Sequence, residues 1–264
     1  MSALVDRVFA KLGFSARPKP DKAGLDALYA AWCRKVPFDN IRKRIALAEG
    51  SPDPLPGGRP DDFLAAYLEH GTGGTCWPSS NGLHALVSAA GFDVRRISAS
   101  MFDRNDHNHG SLLVRLDGSE WMVDSSILSG APIRLQRGVA SDQPDPVHPI
   151  RVDPVDDGFR IHWGMSQSNG TMPCRLMQDP VDEAFYLERY EISRGYSVFN
   201  TALYARKNFP GRLTSFVGRM RHDKTPAGVT SRALEPAELR AALIGELGYS
   251  PAIVDVLEKT AGYG

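Results

Sequence analysis

Charge is absent from residues 71–92, although Asp, Glu, Lys and Arg make up 23% of the 264-residue chain. A stretch of this length can cross a bilayer, but this one is rich in Gly, Ser, Thr, Pro and Asn, which excludes a membrane-spanning helix. Its first part contains a glycine pair, and its second part places Leu83, Leu86 and Val87 at helical spacing before Gly91. The pattern predicts a flexible turn followed by a helix that ends at Gly91.

Overall composition limits the classes of protein to consider. Lys plus Arg total 31 and Asp plus Glu total 31, so the formal net charge is zero, which argues against broad binding to nucleic acid or to an anionic membrane. The 42% share of hydrophobic residues is typical of a globular protein. Three cysteines without a Cys-x-x-Cys pair predict neither a disulfide scaffold nor a metal site.

The N-terminal residues help to predict the cellular compartment of the protein. Asp6, Arg7 and Lys11 interrupt the apolar residues there, so the segment lacks the apolar core of a signal peptide. Together with the low cysteine content, this predicts a protein of the reducing cytoplasm, with neither membrane nor nucleic acid as a partner.

Helical spacing dominates residues 1–90, and the Pro- and Gly-rich segment 52–60 indicates a loop between two of the helices. The apolar positions that recur on helix faces are Leu25, Leu28, Tyr29, Trp32, Phe63, Leu64, Tyr67 and Leu68. This part of the chain is therefore predicted to be mostly helical.

Residues 91–180 change to the pattern of β-strands. The predicted strands are 94–100, 110–116, 120–125 and 159–164. Asp117 and Gly118 are a strong signal for a two-residue hairpin, whereas the Pro- and Asp-rich segment 142–157 is predicted to be a loop. The region is expected to form a small antiparallel sheet or barrel.

Both patterns occur after residue 180. Residues 181–194 are predicted to be one helix, and Glu235 opens another with Pro236 in its first turn, which Gly248 closes. The order of helical, β and mixed segments predicts an α+β protein of two or three packed subdomains.

Cys76 lies between the glycine turn and the predicted helix. Unpaired amides and the positive end of the dipole at a helix start favour a thiolate and can bind an oxyanion. Because a single Cys is more often buried and inert, a nucleophilic role requires a base and a group that orients the base.

The predicted hairpin supplies both groups. A two-residue turn at 117–118 places Ser126 opposite His109, and Asp124 two residues away on the same sheet face. Such diagonal neighbours lie about 7–8 Å apart between Cα atoms, so the register predicts a hydrogen bond between His109 and Asp124. His107 has the same parity but lies roughly 7 Å further along the strand, which makes it the weaker candidate.

Taken together, these segments resemble the arylamine N-acetyltransferase family, most clearly over residues 25–135. The matching segments are Val-Pro-Phe-Asp-Asn-Ile at 36–41, Gly-Gly-Thr-Cys at 73–76, Asn-Gly-Leu at 81–83, His-Gly-Ser-Leu-Leu-Val at 109–114 and Met-Val-Asp at 122–124. The resemblance implies a helical bundle at 1–90, a β-barrel at 91–180 and a C-terminal α/β lid at 181–264, with a Cys-His-Asp arrangement like that of cysteine proteases.

The resemblance also implies a catalytic triad of Cys76, His109 and Asp124. His109 takes the thiol proton, Asp124 holds the imidazole, and Cys76 attacks an acyl thioester before an amine takes the acyl group in a ping-pong reaction. The implied co-substrate is acyl-coenzyme A or a phosphopantetheinyl thioester on an acyl or peptidyl carrier protein, the acceptor is a small-molecule amine, and neither a permanent cofactor nor a metal is expected. The candidate substrate-binding residues are Phe38, Thr75, Trp77, Gly110, Ser125, Ser126 and Ile127.

Three departures from the family pattern concern the substrate. Thr72 stands where the family has Arg, Trp77 and Pro78 replace an aromatic residue and Glu, and residues 125–128 read Ser-Ser-Ile-Leu where the family has Val-Gly-Phe-Gly. These changes leave the nucleophile, base and orienting acid in place, while the acyl group and the acceptor amine are open.

A basic segment at 206–224 suggests how a donor is attracted. Its members are Arg206, Lys207, Arg212, Arg219, Arg221 and Lys224, against the single acid Asp223. One interpretation is a solvated surface, and the other is attraction of coenzyme A phosphates or of an acidic carrier protein.

Two other functions remain open at this stage. The same triad with water as acceptor, or with an amide as donor, gives a thiol hydrolase or a transglutaminase-like enzyme. A scaffold that keeps the fold but lacks an activated thiol gives a catalytically silent binding protein.

Overall fold

The computed structural model of the chain describes residues 2–156 and 158–264. The helices are α1 (Ser2–Lys11), α2 (Lys22–Lys35), α3 (Ile41–Ala48), α4 (Pro60–His70), α5 (Cys76–Ala89), α6 (Glu183–Ile192), α7 (Pro236–Ala242) and α8 (Pro251–Thr260). The strands are β1 (Phe38–Asp39), β2 (Asp93–Met101), β3 (His109–Leu116), β4 (Ser119–Val123), β5 (Ile133–Leu135), β6 (Ser141–Gln143), β7 (Ile150–Val155), β8 (Gly158–Gly164), β9 (Thr171–Val181), β10 (Tyr204–Phe209), β11 (Arg212–Val217), β12 (Met220–Thr225) and β13 (Gly228–Ala233). The chain is thus α+β, which confirms the predicted class.

The helical bundle contains α1, α2, α4 and α5, together with α6 from the C-terminal part of the chain. The Asp21 carboxylate accepts a hydrogen bond from the Gly24 amide at 2.8 Å and so starts α2. Trp32 of α2 stacks on Phe63 of α4 with ring centroids 5.8 Å apart. Because α6 packs into this same core, the bundle draws on residues beyond the expected boundary at 90.

The central strands form an antiparallel sheet of order β5-β4-β3-β2-β9-β8-β7-β6, which curls into a nearly closed barrel around an apolar core. Leu116 pairs with Ser119, so the hairpin register predicted from the sequence is confirmed. Asp117 and Gly118 have φ angles of 49° and 70°. Positive φ at both positions is what a two-residue hairpin turn of this kind requires.

The loop predicted at residues 142–157 is wrong for much of its length. β6 and β7 lie within or beside this segment and pair with each other, and β7 also pairs with β8. Pro154 lies beyond residues 150–152, the part of β7 that pairs with β6, so the proline removes no hydrogen bond from that pairing. Asp157, the last residue of the predicted loop, lies outside the described residues.

The C-terminal sheet has the order β1-β10-β11-β12-β13 and therefore includes a strand from the N-terminal part of the chain. Ile41 and Ile45 of α3 pack into the same core as Phe216 and Val254. The segment that carries Phe38 is consequently shared between the helical bundle and the C-terminal sheet. This arrangement interleaves the units that the sequence divides at 90 and 180.

The predicted C-terminal helices are present. Asp182 accepts a hydrogen bond from the Phe185 amide at 2.8 Å and starts α6, while the Glu235 amide donates to Glu238 at 2.9 Å ahead of α7. A wider helical turn follows α7 and ends at Gly248, where φ is 85°. Over the two described ranges of the chain, none of the helices is both long and apolar enough to cross a membrane.

The basic segment 206–224 does not form a single exposed patch. Arg221 donates to Glu246 at 2.6 Å and to Asp223 at 2.6 Å, so its charge is compensated within the fold. Arg206 and Lys224 are buried. The excess of positive charge counted along the sequence is therefore distributed between paired surface groups and the interior.

Candidate active site

The turn before Cys76 is held by the segment that contains β1. The Asp39 carboxylate accepts hydrogen bonds from the Gly73 amide at 2.6 Å and from the Tyr249 hydroxyl at 3.1 Å. A Cβ on Gly73 would lie 1.7 Å from the Pro37 carbonyl oxygen, so glycine is required by this close approach. Burial raises the pKa of Asp39 to about 6 against the opposing effect of these hydrogen bonds. The glycine turn is thus fixed rather than loose.

The helix after this turn begins at Cys76, within the range that the sequence predicts. Its first intrahelical bond runs from the Ser79 amide to the Thr75 carbonyl at 3.0 Å. Pro78 has no amide hydrogen, so Cys76 and Trp77 contribute the amides that a helix start leaves without an intrahelical partner. The Cys76 side chain, in a residue only 9% exposed, therefore lies at the positive end of the helix dipole.

His109 and Asp124 form the hydrogen bond that the hairpin register predicts. His109 Nε2 and Asp124 Oδ2 are 2.8 Å apart, and both residues are buried. Cys76 lies near enough to the same imidazole to raise the His109 pKa. Because Nε2 is engaged by Asp124, Nδ1 is the ring nitrogen that remains for Cys76.

The electrostatics of this group favour a charged imidazole. Burial acts to lower the pKa of His109, but the Asp124 charge, its hydrogen bond and the Cys76 thiol outweigh it and raise that pKa from 6.5 to about 10. Burial likewise acts to raise the pKa of Asp124, and the His109 charge and the backbone amide of Ile127 reverse the effect, so that pKa is lowered. The pair can therefore hold an imidazolium and a carboxylate.

Asp124 is fixed by backbone amides and by a tyrosine that sequence reasoning did not identify as a site residue. Its Oδ1 accepts hydrogen bonds from the Ser126 and Ile127 amides, each at 2.8 Å. The Tyr29 hydroxyl of α2 donates to the Asp124 carbonyl at 2.7 Å and accepts from the Asp124 amide at 3.1 Å. The helical spacing of Tyr29 marks it as a core position, and only the fold brings its hydroxyl to Asp124.

Two side chains of β10 hold the turn that follows Asp124, at residues 125–128. Arg206 Nη2 donates to the Ile127 carbonyl, and Asn208 Nδ2 donates to the Leu128 carbonyl at 2.7 Å. Leu128 has a φ of 55°, a left-handed conformation that is strained for a branched residue. The C-terminal sheet thus supports the turn after Asp124 through two side-chain hydrogen bonds.

The predicted substrate-binding residues lie around the triad, and most of their side chains are in packed surroundings. Trp77 is buried against Tyr186 with centroids 4.9 Å apart, and a Cβ on Gly110 would lie 2.6 Å from the Trp77 ring. Ser125 hydrogen-bonds Ser80 at 2.9 Å. Thr75 directly precedes α5, and Ile127 lies in the barrel core. The Ser126 amide donates to Asp124. The Phe38 ring contacts the rings of Phe199 and Tyr204.

A cavity of about 450 Å³ lies beside the triad, between the barrel and β10–β11. Trp163 lines it, and its ring lies 5.8 Å from that of His109. Tyr196 also lines it, and the pKa of Tyr196 is raised first by burial and then by the nearby Cys76 charge. The cavity is of the size that takes a drug-sized ligand. Its lining residues come mainly from beyond residue 160, where the sequence offers no comparable motif.

His107, the weaker of the two histidine candidates, lies away from Asp124. Its Nδ1 is 2.7 Å from the Ser98 hydroxyl, and its ring contacts Phe185 with centroids 5.6 Å apart. Of the two histidines, His109 is therefore the one that the hairpin brings to the acid.

Known proteins are similar to this chain in sequence. A family model described as N-acetyltransferase matches residues 22–175, which is more than half of the chain. An arylamine N-acetyltransferase of Mycolicibacterium smegmatis is 26% identical over 140 residues, covering 48% of this chain and 49% of that protein. A proansamycin X synthase of Amycolatopsis mediterranei is 32% identical over 69 residues, or 24% of this chain and 26% of that one. The aligned part of the chain thus spans about half, and about a quarter, of these two relatives.

Solved structures share the fold over nearly their whole length. The Mycobacterium marinum arylamine N-acetyltransferase in complex with CoA has a TM-score of 0.81 at 17% identity, covering 96% of this chain and 98% of that one. The M. smegmatis arylamine N-acetyltransferase has a TM-score of 0.79 at 20% identity, covering 96% of each chain. At this level of identity the likeness is one of fold.

Proposed function

The chain belongs to the arylamine N-acetyltransferase family, and from that membership we propose that it transfers an acyl group from a thioester, through an acyl-enzyme on Cys76, to an amine. The observation that carries the proposal is the 2.8 Å bond between His109 and Asp124, with Cys76 near enough to the imidazole to raise its pKa. A nucleophile, a base and an orienting acid in this order are what covalent acyl transfer requires.

In the first half-reaction, His109 holds the proton that leaves Cys76. The thiolate attacks the carbonyl carbon of the thioester, and the tetrahedral intermediate collapses as the carbon–sulfur bond to the donor thiol breaks. His109 returns the proton to the departing thiol, so the products are a free thiol and a Cys76 thioester. Asp124 keeps the ring oriented and stabilises its positive charge throughout.

The intermediate of this step carries a negative oxygen. The amides of Cys76 and Trp77 at the start of α5 are suited to stabilise it, because they lack intrahelical partners and lie at the positive end of the helix dipole. Pro78 contributes no donor here, so the proposed oxyanion site has two amides.

In the second half-reaction, an amine nitrogen attacks the Cys76 thioester. His109 takes the proton that the nitrogen loses, and the carbon–sulfur bond to Cys76 breaks to release an amide and the thiolate. The enzyme returns to its starting state without a bound cofactor. The reaction is ping-pong, since the first product leaves before the amine reacts.

The donor is proposed to be acyl-coenzyme A or a phosphopantetheinyl thioester on a carrier protein. A relative solved in complex with CoA supports the first, and both donors present the same thioester to Cys76. The cavity of about 450 Å³ supports acyl groups or amines larger than acetyl or aniline. We place the reaction in the cytoplasm, where reducing conditions keep Cys76 a free thiol.

Product analysis with and without amines tests the proposal. With an acyl-coenzyme A donor and a panel of aromatic and aliphatic amines, we expect amide formation that shows parallel double-reciprocal plots and is lost in Cys76→Ala. Turnover at the same rate without amine would instead make the protein a thiol hydrolase. If neither coenzyme A donors nor carrier-bound donors react at Cys76, the protein is instead a catalytically silent binding protein.

A further inference from the structure

Two serine hydroxyls connect the three segments that carry the candidate catalytic side chains. Ser80 lies on α5, one turn after the cysteine that begins this helix and on the same helix face. Its Oγ donates to the Gly110 carbonyl at 2.9 Å and lies 2.9 Å from the Ser125 Oγ. Gly110 directly follows His109, and Ser125 directly follows Asp124. One chain of hydrogen bonds therefore joins the segments of the nucleophile, the base and the orienting acid.

The direction of this chain follows from the number of hydrogens. A serine hydroxyl has one hydrogen, and that of Ser80 goes to the Gly110 carbonyl, which can only accept. Ser80 Oγ therefore accepts from Ser125, so Ser125 is the donor of the second bond. Hydrogen bonds that run in one direction polarise one another, and each strengthens its neighbour.

Burial makes the two bonds difficult to replace. Ser80 and Ser125 are both buried, so water cannot take the place of a lost partner. The bonds also span the sequence, because 30 positions separate Ser80 from Gly110 and 45 separate it from Ser125. They therefore oppose movement of α5 relative to β3 and to the turn at residues 125–128. A valine at position 125, as in the family pattern, has no hydroxyl to donate.

We propose that Ser80 and Ser125 are positioning residues that hold the nucleophile, its base and the orienting acid in register. The inference rests on the proposed acyl transfer, and neither hydroxyl takes part in its chemical steps. The bond between His109 and Asp124 joins the base to its acid, and the two hydroxyls add the helix of the nucleophile to the same unit. Because small displacements of reacting groups slow a reaction strongly, loss of the chain should lower the rate of acylation.

Ser125→Thr and Ser125→Val form a matched pair of variants. Threonine and valine have the same branched shape, but only threonine keeps the hydroxyl. Single-turnover intact mass, with the acyl-coenzyme A that loads Cys76 fastest in the wild type, gives the limiting rate constant, the half-saturating donor concentration and the amplitude. We expect a limiting rate constant about three- to tenfold lower in Ser125→Val than in Ser125→Thr, with the other two quantities unchanged. Equal rate constants would overturn the proposal.

Thr214→Val is the control for a general loss of stability. The buried Thr214 hydroxyl donates to Asp223 Oδ1 at 2.6 Å on β11 and β12, in the sheet to which none of the three segments belongs. We expect this variant to be less stable in urea unfolding and to keep the wild-type rate constant of acylation. An equal fall of the rate constant in Thr214→Val and Ser125→Val would show an effect of stability alone, and would overturn the proposal.

Ser80→Ala tests the order of the chain. It removes both bonds, whereas Ser125→Ala leaves the bond from Ser80 to Gly110 in place. We expect Ser80→Ala to slow acylation more than Ser125→Ala, and the second substitution to add little in the Ser80→Ala background. Additive effects on the rate constant would show that the two hydroxyls act independently, and would overturn the proposal.

Alkylation without a donor keeps this inference separable from acyl transfer. If no acyl-coenzyme A loads Cys76 in the wild type, acyl transfer fails, and the rate of Cys76 alkylation by iodoacetamide at neutral pH measures the activation of the thiol instead. This rate should be lower in Ser125→Val than in Ser125→Thr and should keep its wild-type value in Thr214→Val. Equal alkylation rates in the two position-125 variants would contradict the positioning role.

Discussion

A single hydroxyl group, that of Tyr29, connects the helical bundle to the acid of the triad. It bonds both the amide and the carbonyl of Asp124 and lies 3.0 Å from the Ser129 hydroxyl. These bonds are buried, so the groups that make them have no access to water as a replacement. In the proposed mechanism Tyr29 is therefore a positioning residue that acts through Asp124.

Tyr29→Phe is expected to lower both stability and activity. The ring is retained, but two buried backbone groups of Asp124 lose their partner, which costs about 1–3 kcal/mol in free energy of unfolding. The rate of Cys76 acylation should fall severalfold, with the pH profile displaced because Asp124 holds His109 less firmly. Urea unfolding and single-turnover mass spectrometry measure the two effects.

Tyr190→Phe provides the matched control. Its hydroxyl also donates to a backbone carbonyl, that of Pro56 at 3.1 Å, but does not bond Asp124. A loss of stability without a displaced pH profile is expected there. Identical activity profiles in the two variants would contradict the role of Tyr29.

The His109 pKa leads to a pH prediction. Because it is raised from 6.5 to about 10, the stability that His109 contributes is complete below pH 6.5 and is lost as the pH rises toward 10. Asp124 has a lowered pKa, so its contribution is present above pH 3.8 and is lost at more acidic pH. The pair should therefore stabilise the fold most between pH 3.8 and 6.5.

Urea unfolding of the wild type and of His109→Gln at a series of pH values tests this window. We expect a difference in free energy of unfolding of about 3 kcal/mol or more at pH 6, since one partner of a buried pair is removed. The difference should shrink steadily up to pH 10. A difference independent of pH over this range would contradict the charged pair.

At the level of elements, α5 lies so close to β3 that a glycine is required between them. A Cβ on Gly110 would be 2.6 Å from the Trp77 ring and 3.1 Å from Tyr186. Gly110 follows His109, and Trp77 follows Cys76, so this contact sets the distance between the nucleophile and its base. The packing of one helix on one strand thus determines whether the two groups meet.

Gly110→Ala is expected to cost about 1–3 kcal/mol in stability, because the added methyl group overpacks a buried contact. It should also slow Cys76 acylation, as the helix moves away from the strand. Gly245→Ala is the control, since a Cβ there meets no atom within 4 Å. Its stability should be unchanged or slightly higher, and an equal loss in both variants would contradict the packing argument.

The elements differ in how far local sequence determines them. The hairpin of β3 and β4 was predictable, because its register depends only on a two-residue turn and therefore fixes His109 against Asp124. β7 and β9 were not, because Pro154 and Pro180 are signals of loops in isolation. Pro180 lies where the pairing of β2 with β9 shifts register between Ile97 and Ser98, so the proline is tolerated there.

For the molecule as a whole, the active site is assembled from parts that are distant in sequence. The bond between His109 and Asp124 was predictable, because the hairpin register depends on local sequence. Tyr29 bonds Asp124 although 95 positions separate them in the sequence. Arg206 bonds Ile127, in the turn after Asp124, although 79 positions separate those two residues. Contacts at such separation depend on the packing of the bundle, barrel and C-terminal sheet, which no local pattern contains. The cavity was not predictable for the same reason.

The three cysteines allow the state of Cys76 to be tested within one molecule. Burial raises the pKa of Cys33 to about 12, and burial raises the pKa of Cys174 well above its ordinary value. Iodoacetamide at neutral pH should therefore alkylate Cys76 in preference to Cys33 and Cys174, because a helix start and a neighbouring imidazolium make a cysteine more reactive. Peptide mapping identifies the site, and the reaction should slow strongly in His109→Gln. Labelling of Cys76 only above pH 8 would indicate an ordinary thiol.

The most direct test of the central claim is the intact mass of the protein after incubation with acyl-coenzyme A donors in the absence of amine. The account predicts one acyl group on each chain, located at Cys76, absent in Cys76→Ala and removed when an amine that is converted to its amide is added. The absence of any Cys76 adduct across short, long and carboxylated donors, or an adduct that amines leave in place, would contradict it.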